Sequence, residues 1–271
     1  GLVLALLLGT PGLGTTQADQ NTAAGLLAGR QGLRWARSAV VPFQTQARTQ
    51  GPGPGYLTVS HGRGGTELPD FASVPDVHTK KLRFFTWLIP LVDDENERLS
   101  DLRLRLEYIY DHQRWGHDLE QEDREWLAQV TQEFGLDGMD VESPEFWVAI
   151  RQRVDALPDV LVLVQAANES AWGTSRFARE GNNLFGQWCF REGCGLVPAS
   201  RPDGATYEVA RFDSVSQSVG SYMHNLNTGR TYQELREIRA LARDQGREPD
   251  ASEMAGGLMS YSERGEEYIQ E

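Results

Sequence analysis

The run Asp159-Val-Leu-Val-Leu-Val-Gln-Ala-Ala-Asn-Glu-Ser-Ala-Trp-Gly173 decides how this chain is read. Pro158 opens it, and its first half is apolar on every side, so periodicity does not separate a buried strand from a buried helix. The β-branched residues favour a strand, whereas the small residues Ala166 and Ala167 favour a helix. The run delivers a carboxylate, Glu169, to the end of an apolar element, with Trp172 three residues on. If a helix continues, Glu169 and Trp172 share a face. A free glutamic acid titrates near pH 4.3, and an apolar wall beside an indole disfavours its charged form. A carboxyl kept protonated in this way can donate to the leaving oxygen of a sugar. An isolated Glu is ordinarily a solvated side chain, so spacing alone does not make Glu169 catalytic.

Working outward, Gly181-Asn-Asn-Leu-Phe-Gly186 is a Gly/Asn-rich turn about one helix-length downstream. Residues 189 to 212 read as a short hairpin around Arg201-Pro-Asp-Gly204, with Val197, Tyr207, Val209 and Phe212 in its strands. Elsewhere the pattern is helical. Leu99, Leu102, Leu106 and Ile109 form one stripe ending near Gly116, and Leu127, Val130 and Phe134 form a second, closed by Gly135. Ser143-Pro144-Glu145 is a cap, a proline and a first-turn acid, with Phe146, Ile150, Val154 and Leu157 following on one face. Val215, Val219, Tyr222 and Leu226 share another face. Thr231-Tyr-Gln-Glu234 matches a capping box opening a helix to about Gly246, and a last short helix precedes Tyr261. The fold class expected is α+β, predominantly α, with a small β-hairpin insertion.

The chain has 271 residues and a formal net charge of -13. The acidic balance argues against nucleic acid as a partner, because phosphates are repelled. No Walker loop, dinucleotide fingerprint or His-Glu-x-x-His occurs, so neither a metal nor a cofactor is expected. Gly1-Leu-Val-Leu-Ala-Leu-Leu-Leu8 is too short to span a bilayer and reads as the remnant of a signal peptide over 1–18. Residues 19–75, which include Gly51-Pro-Gly-Pro-Gly55, read as a flexible tether. The folded domain is placed at 76–271, with a helical extension over 82–157. Export implies a periplasmic or envelope-associated protein. In that setting Cys189 and Cys194 pair as a small-loop disulfide, the alternative being two buried thiols. Oligomeric state is not legible.

Asn168-Glu-Ser-Ala-Trp-Gly173, Asn182-Asn-Leu-Phe-Gly186, Tyr222 and Tyr232 resemble the bacterial glucosaminidase family, glycoside hydrolase family 73 with its flagellar FlgJ-like members. The Bax-type branch is more similar still, through Gln187-Trp-Cys-Phe-Arg-Glu-Gly-Cys-Gly195, Arg211-Phe-Asp-Ser214, His224-Asn-Leu-Asn227 and Tyr261-Ser-Glu-Arg-Gly265. The likeness covers about residues 76 to 271 and favours a helix for 159–168. It implies a lysozyme-like fold and hydrolysis of peptidoglycan glycan strands at the β-1,4 link between N-acetylglucosamine and N-acetylmuramic acid. Glu169 would be the general acid and Tyr232 the active-site tyrosine, though Tyr232 also fits a helix-start aromatic packed on the core. Asn183, Phe185 and Trp188 would line the sugar groove with Trp172 and Tyr222. Many family members carry a glutamate early in the hairpin, but here Leu196-Val-Pro-Ala-Ser200 has no acid. Glu208 is the nearest substitute, with Asp203 and Glu192 behind it. This departure keeps two alternatives open, a lytic transglycosylase needing one catalytic Glu and a non-catalytic glycan-binding protein.

Overall fold

A computed structural model describes residues 67–262 apart from Ser200 and Asp203. The signal-peptide reading, most of the tether and the segment after Ser262 lie outside the described residues. Eight α-helices and a three-stranded sheet make up the described part. Helix α1 (Val77–Arg114) starts at Asp76, whose carboxylate accepts the Thr79 amide at 2.6 Å, and runs through Pro90. The stripe from Leu99 to Ile109 is thus only its second half. Helix α2 (Gln121–Glu133) turns out at Phe134 and Gly135. Helix α3 (Pro144–Arg153) is capped by Ser143, whose hydroxyl accepts the Phe146 amide. The ambiguous run is helix α4 (Asp159–Glu169), buried from Leu161 through Ala167.

Helix α5 (Arg176–Gly181) leads into the sheet. Strands β1 (Trp188–Cys189), β2 (Gly195–Leu196) and β3 (Glu208–Ala210) lie antiparallel in the order β1-β3-β2. The expected hairpin is therefore its β2–β3 half. The extra strand β1 pairs Trp188 with Val209 and Cys189 with Glu208. Gly195 allows this close pairing, because a Cβ there would lie 2.0 Å from the Val209 carbonyl oxygen. Helix α6 (Val215–Thr228) is capped by Ser214. The capping box expected at Thr231 does not form. Residues Arg230–Tyr232 make a 3-10 turn, and helix α7 (Gln233–Asp244) begins behind Tyr232 without a side-chain cap. Helix α8 (Ala251–Ser262) runs through Tyr261 instead of ending before it.

Burial explains how these parts hold α4. Asn96 of α1, 4 % exposed, donates to the Leu157 carbonyl and the Asp159 carboxylate and accepts the Leu157 amide. A buried amide satisfied this fully fixes one geometry. Asp155 is the second anchor, facing Arg239, Arg243 and Arg103. Arg239 is 1 % exposed and also donates to the carbonyls of Gln152, Asp155 and Ala156. The fold begins earlier than expected, since Phe71 is buried against Phe84 and Trp87. Composition drew the tether boundary at Asp76, and a lone aromatic between Pro69 and Pro75 gave it no periodicity to read.

Candidate active site

Helix α4 ends at Glu169 in a Schellman closure. The Trp172 amide reaches the Ala167 carbonyl at 2.9 Å, and the Ala171 amide reaches Asn168. Such closures place glycine in the left-handed position, yet here Ala171 (φ 50°) and Trp172 (φ 61°) take it, followed by Gly173 (φ 75°). Each non-glycine residue there costs about 1–2 kcal/mol, which the surroundings must offset. Ser170 helps, donating its hydroxyl to the Ala166 carbonyl and accepting the Gly173 amide. The helix does not continue, so Trp172 leaves the Glu169 face. It packs edge-on against Phe84 and Phe85 of α1, at 5.9 and 5.2 Å between centroids, with the Lys81 ammonium 4.7 Å over its ring. Trp172, expected to line a sugar groove, is half-buried, and its indole supports the turn.

Glu169 itself is half-buried. Its Oε1 is buried and accepts no hydrogen bond among the described residues. Burial raises its pKa above the usual carboxylate value. One turn of the same helix also carries Gln165 and Asn168, whose amide nitrogens are likewise buried without an acceptor among those residues. Gln165 was not singled out from the sequence, where it sits inside an apolar run, and Asn168 entered only as the first residue of the family motif. Gly186 (φ 62°) faces the carboxylate from across the site, and a Cβ there would lie 3.5 Å from Glu169 Oε2. The last glycine of the Asn-Asn-Leu-Phe-Gly turn therefore sets its backbone against the acid.

The rest of that turn is architecture. Asn183 is 1 % exposed, donates to the Gln187 and Ala210 carbonyls, and accepts the Phe185 and Gln187 amides. With its hydrogen-bonding capacity filled inside the protein, Asn183 shapes the turn and does not face a ligand, which corrects its place in the groove. Phe185 is also buried, stacked on Tyr222 with centroids 4.0 Å apart. Gln187 ties the turn to α6 through the Ser218 carbonyl and the Ser221 hydroxyl. Burial pushes the Tyr222 phenol well up, and the nearby Tyr232 and Glu169 add to the effect. Tyr222 thus feels the charges of both Glu169 and Tyr232. Tyr232 is half-buried at the start of α7, its ring beside Gly229.

Trp188 is half exposed and meets Tyr207 edge-on at 5.2 Å. Cys189 and Cys194 form the disulfide. Glu208 lies beneath it, 3 % exposed, its two oxygens accepting the Gly193 and Gly195 amides at 3.0 and 2.7 Å, with Arg201 at 3.7 Å. Those amides hold its carboxyl below the usual range. Glu208 closes the disulfide loop, and the role of second catalytic acid is withdrawn from it. Glu192 is exposed, and Asp203 lies outside the described residues. Cys189, Cys194 and Glu208 cluster within 4.8 Å, but the sulfurs are bonded to each other and offer no thiolate ligands.

Residues 145–261, which contain this whole constellation, match the glucosaminidase family model, described as mannosyl-glycoprotein endo-beta-N-acetylglucosaminidase. The chain is also 30 % identical over 203 residues to the protein bax of Escherichia coli strain K12, covering 75 % of this chain and 71 % of that relative. The chain belongs to the glucosaminidase family, in its Bax-type branch. No solved structure matches it. The membership supports a glycan-hydrolase-like function and implies a glycan as substrate class. Among the described residues no helix is long and apolar enough to cross a membrane.

Proposed function

We propose that this protein is an exported, periplasmic or envelope-associated glucosaminidase that hydrolyses the β-1,4 bond on the reducing side of N-acetylglucosamine in peptidoglycan. The observation that carries the reading is Glu169 Oε1, buried at the end of an apolar helix beside Gly186 and without a hydrogen-bond partner among the described residues. Burial raises the pKa of Glu169 and so favours the protonated form that an acid for glycoside cleavage requires. In the step proposed, Glu169 gives its proton to the glycosidic oxygen as the bond to the anomeric carbon breaks. Water then adds to that carbon and returns a proton to Glu169. The exposed face of Trp188 suits a sugar ring.

A second reading is favoured by one observation. With Glu208 engaged by its own loop, Glu169 is the one carboxylate assigned to the site, which also suits a lytic transglycosylase. There the sugar's own hydroxyl replaces water and leaves an anhydro end. A digest of purified peptidoglycan by the full chain, wild type beside Glu169→Gln, separates the cases by mass spectrometry. Reducing-end N-acetylglucosamine from wild type alone supports the hydrolase, and anhydro-muramyl ends move the protein to the transglycosylases. No release, with retained binding to sacculi, makes it a glycan-binding protein.

A further inference from the structure

Helix α1 lies wholly upstream of the residues that match the family model, yet it brackets the helix that carries the acid. At one end Asn96 holds the start of α4 through Leu157 and Asp159. At the other end Phe84 and Phe85 hold the turn after Glu169 through the Trp172 indole. The eleven steps from Phe85 to Asn96 span about 16 Å, the same as the eleven residues of α4, so the two helices lie antiparallel along their shared length.

The bracket is completed by the segment just before α1. Asp70 caps the 3-10 turn Phe71–Ser73 by accepting the Ala72 and Ser73 amides. Asp70, Ala72 and Ser73 are exposed, while Phe71 between them is 2 % exposed. Its ring is plugged edge-on against Phe84 and Trp87, at 5.4 and 5.8 Å between centroids. It also presses on the catalytic turn directly, since a Cβ on Gly173 would lie 2.7 Å from the Phe71 ring. Three consecutive left-handed residues are therefore closed in by Phe71 on one side and by Phe84, Phe85 and Lys81 on the other. Glu169 Oε1 has no hydrogen bond to steer it among the described residues, so the carboxylate's aim depends on the backbone that carries it.

We propose that Phe71 is a positioning residue for Glu169: by plugging against Gly173 and Phe84 it locks the left-handed turn 171–173 and so fixes where the carboxylate points. This rests on the reading of Glu169 as the acid, but part of its test does not. The full chain carrying Phe71→Ala is compared with wild type, with Phe71→Leu as the conservative variant, and with Ile109→Ala as a control. Ile109 is also fully buried on α1, but about 37 Å of helix away from Phe84.

In Phe71→Ala, hydrogen exchange at the Trp172 and Gly173 amides is expected to rise at least about tenfold relative to Ile109→Ala. The Glu169 carboxyl, followed by NMR, is expected to titrate nearer the ordinary range. The peptidoglycan kcat is expected to fall about tenfold to a hundredfold with KM changed less than about twofold, as for small misplacements of a reacting group. Phe71→Leu is expected to recover most of each effect. If Phe71→Ala merely lowers Tm as Ile109→Ala does, with turn exchange and Glu169 titration as in wild type, the proposal is overturned. A wild type that releases no glycan fragment overturns the hydrolase reading alone, and the exchange and titration data still decide the role of Phe71.

Discussion

Glu169 and Glu208 sit in the two halves of this domain, one at the end of a core helix and one in the small sheet, and their surroundings are opposite. Glu208 is the more buried, yet both its oxygens accept backbone amides and Arg201 stands nearby, so its charged form is favoured. Glu169 is less buried, but Oε1 has no partner among the described residues, and its neutral form is favoured. Burial by itself does not mark a reactive carboxylate. What marks it is whether the protein has used up the oxygen atoms. In the sheet they close a loop, and at the helix end Oε1 accepts no hydrogen bond among the described residues.

The contrast is broken most severely by Glu169→Gln, for which glycan release is expected to fall by about 10²–10⁴-fold in the digest. The same variant sharpens the comparison through stability. Because the folded pKa of Glu169 is raised, the stability it contributes is present at low pH and lost as pH rises through that value. Glu169→Gln is therefore expected to melt above wild type at neutral pH, the gap closing in acid. A melt below wild type at neutral pH would contradict the burial argument.

Glu208→Gln is expected to do the reverse, lowering Tm at neutral pH. Its folded pKa is depressed, so its contribution is present above the unfolded value and lost as pH falls through the folded one. The Tm difference from wild type should vanish only in strong acid. Activity should fall far less than in Glu169→Gln, and an equal loss would restore Glu208 to the chemistry.

Reduction of Cys189–Cys194 is expected to cost about 2 kcal/mol for so short a loop, read from denaturant melts with and without reductant. The smallest effect expected is from Trp188→Ala. It should leave Tm unchanged within about 1 °C and weaken glycan binding by about 1 kcal/mol, measured by calorimetry with soluble fragments.

The helical frame was largely legible because its signals are local. Ser143-Pro144 caps α3, and the stripes at Leu99 and Leu127 are buried as their spacing requires. What stayed hidden depends on partners far along the chain. Asn183 looks like a ligand group until Ala210, on β3, claims its amide, and Glu208 looks available until the Gly193 and Gly195 amides claim its oxygens. The helix end near Glu169 was legible, but the left-handed turn that closes it was not, because Ala171 and Trp172 adopt a conformation their side chains disfavour, stabilised by α1 some ninety positions upstream. Thr231 misled for a nearer reason: the chain takes a 3-10 turn there, and the capping geometry never arises.

The span from Phe85 to Asn96 works as a ruler. Inserting or deleting one residue inside it would slide one contact about 1.5 Å and swing it about 100° around the helix, so Phe85 could not meet Trp172 while Asn96 holds the start of α4. Length variation among relatives of this chain should therefore gather outside that window, in the connections between helices and in the 197–207 loop, while the count of residues between the two contacts stays fixed even where their identities drift.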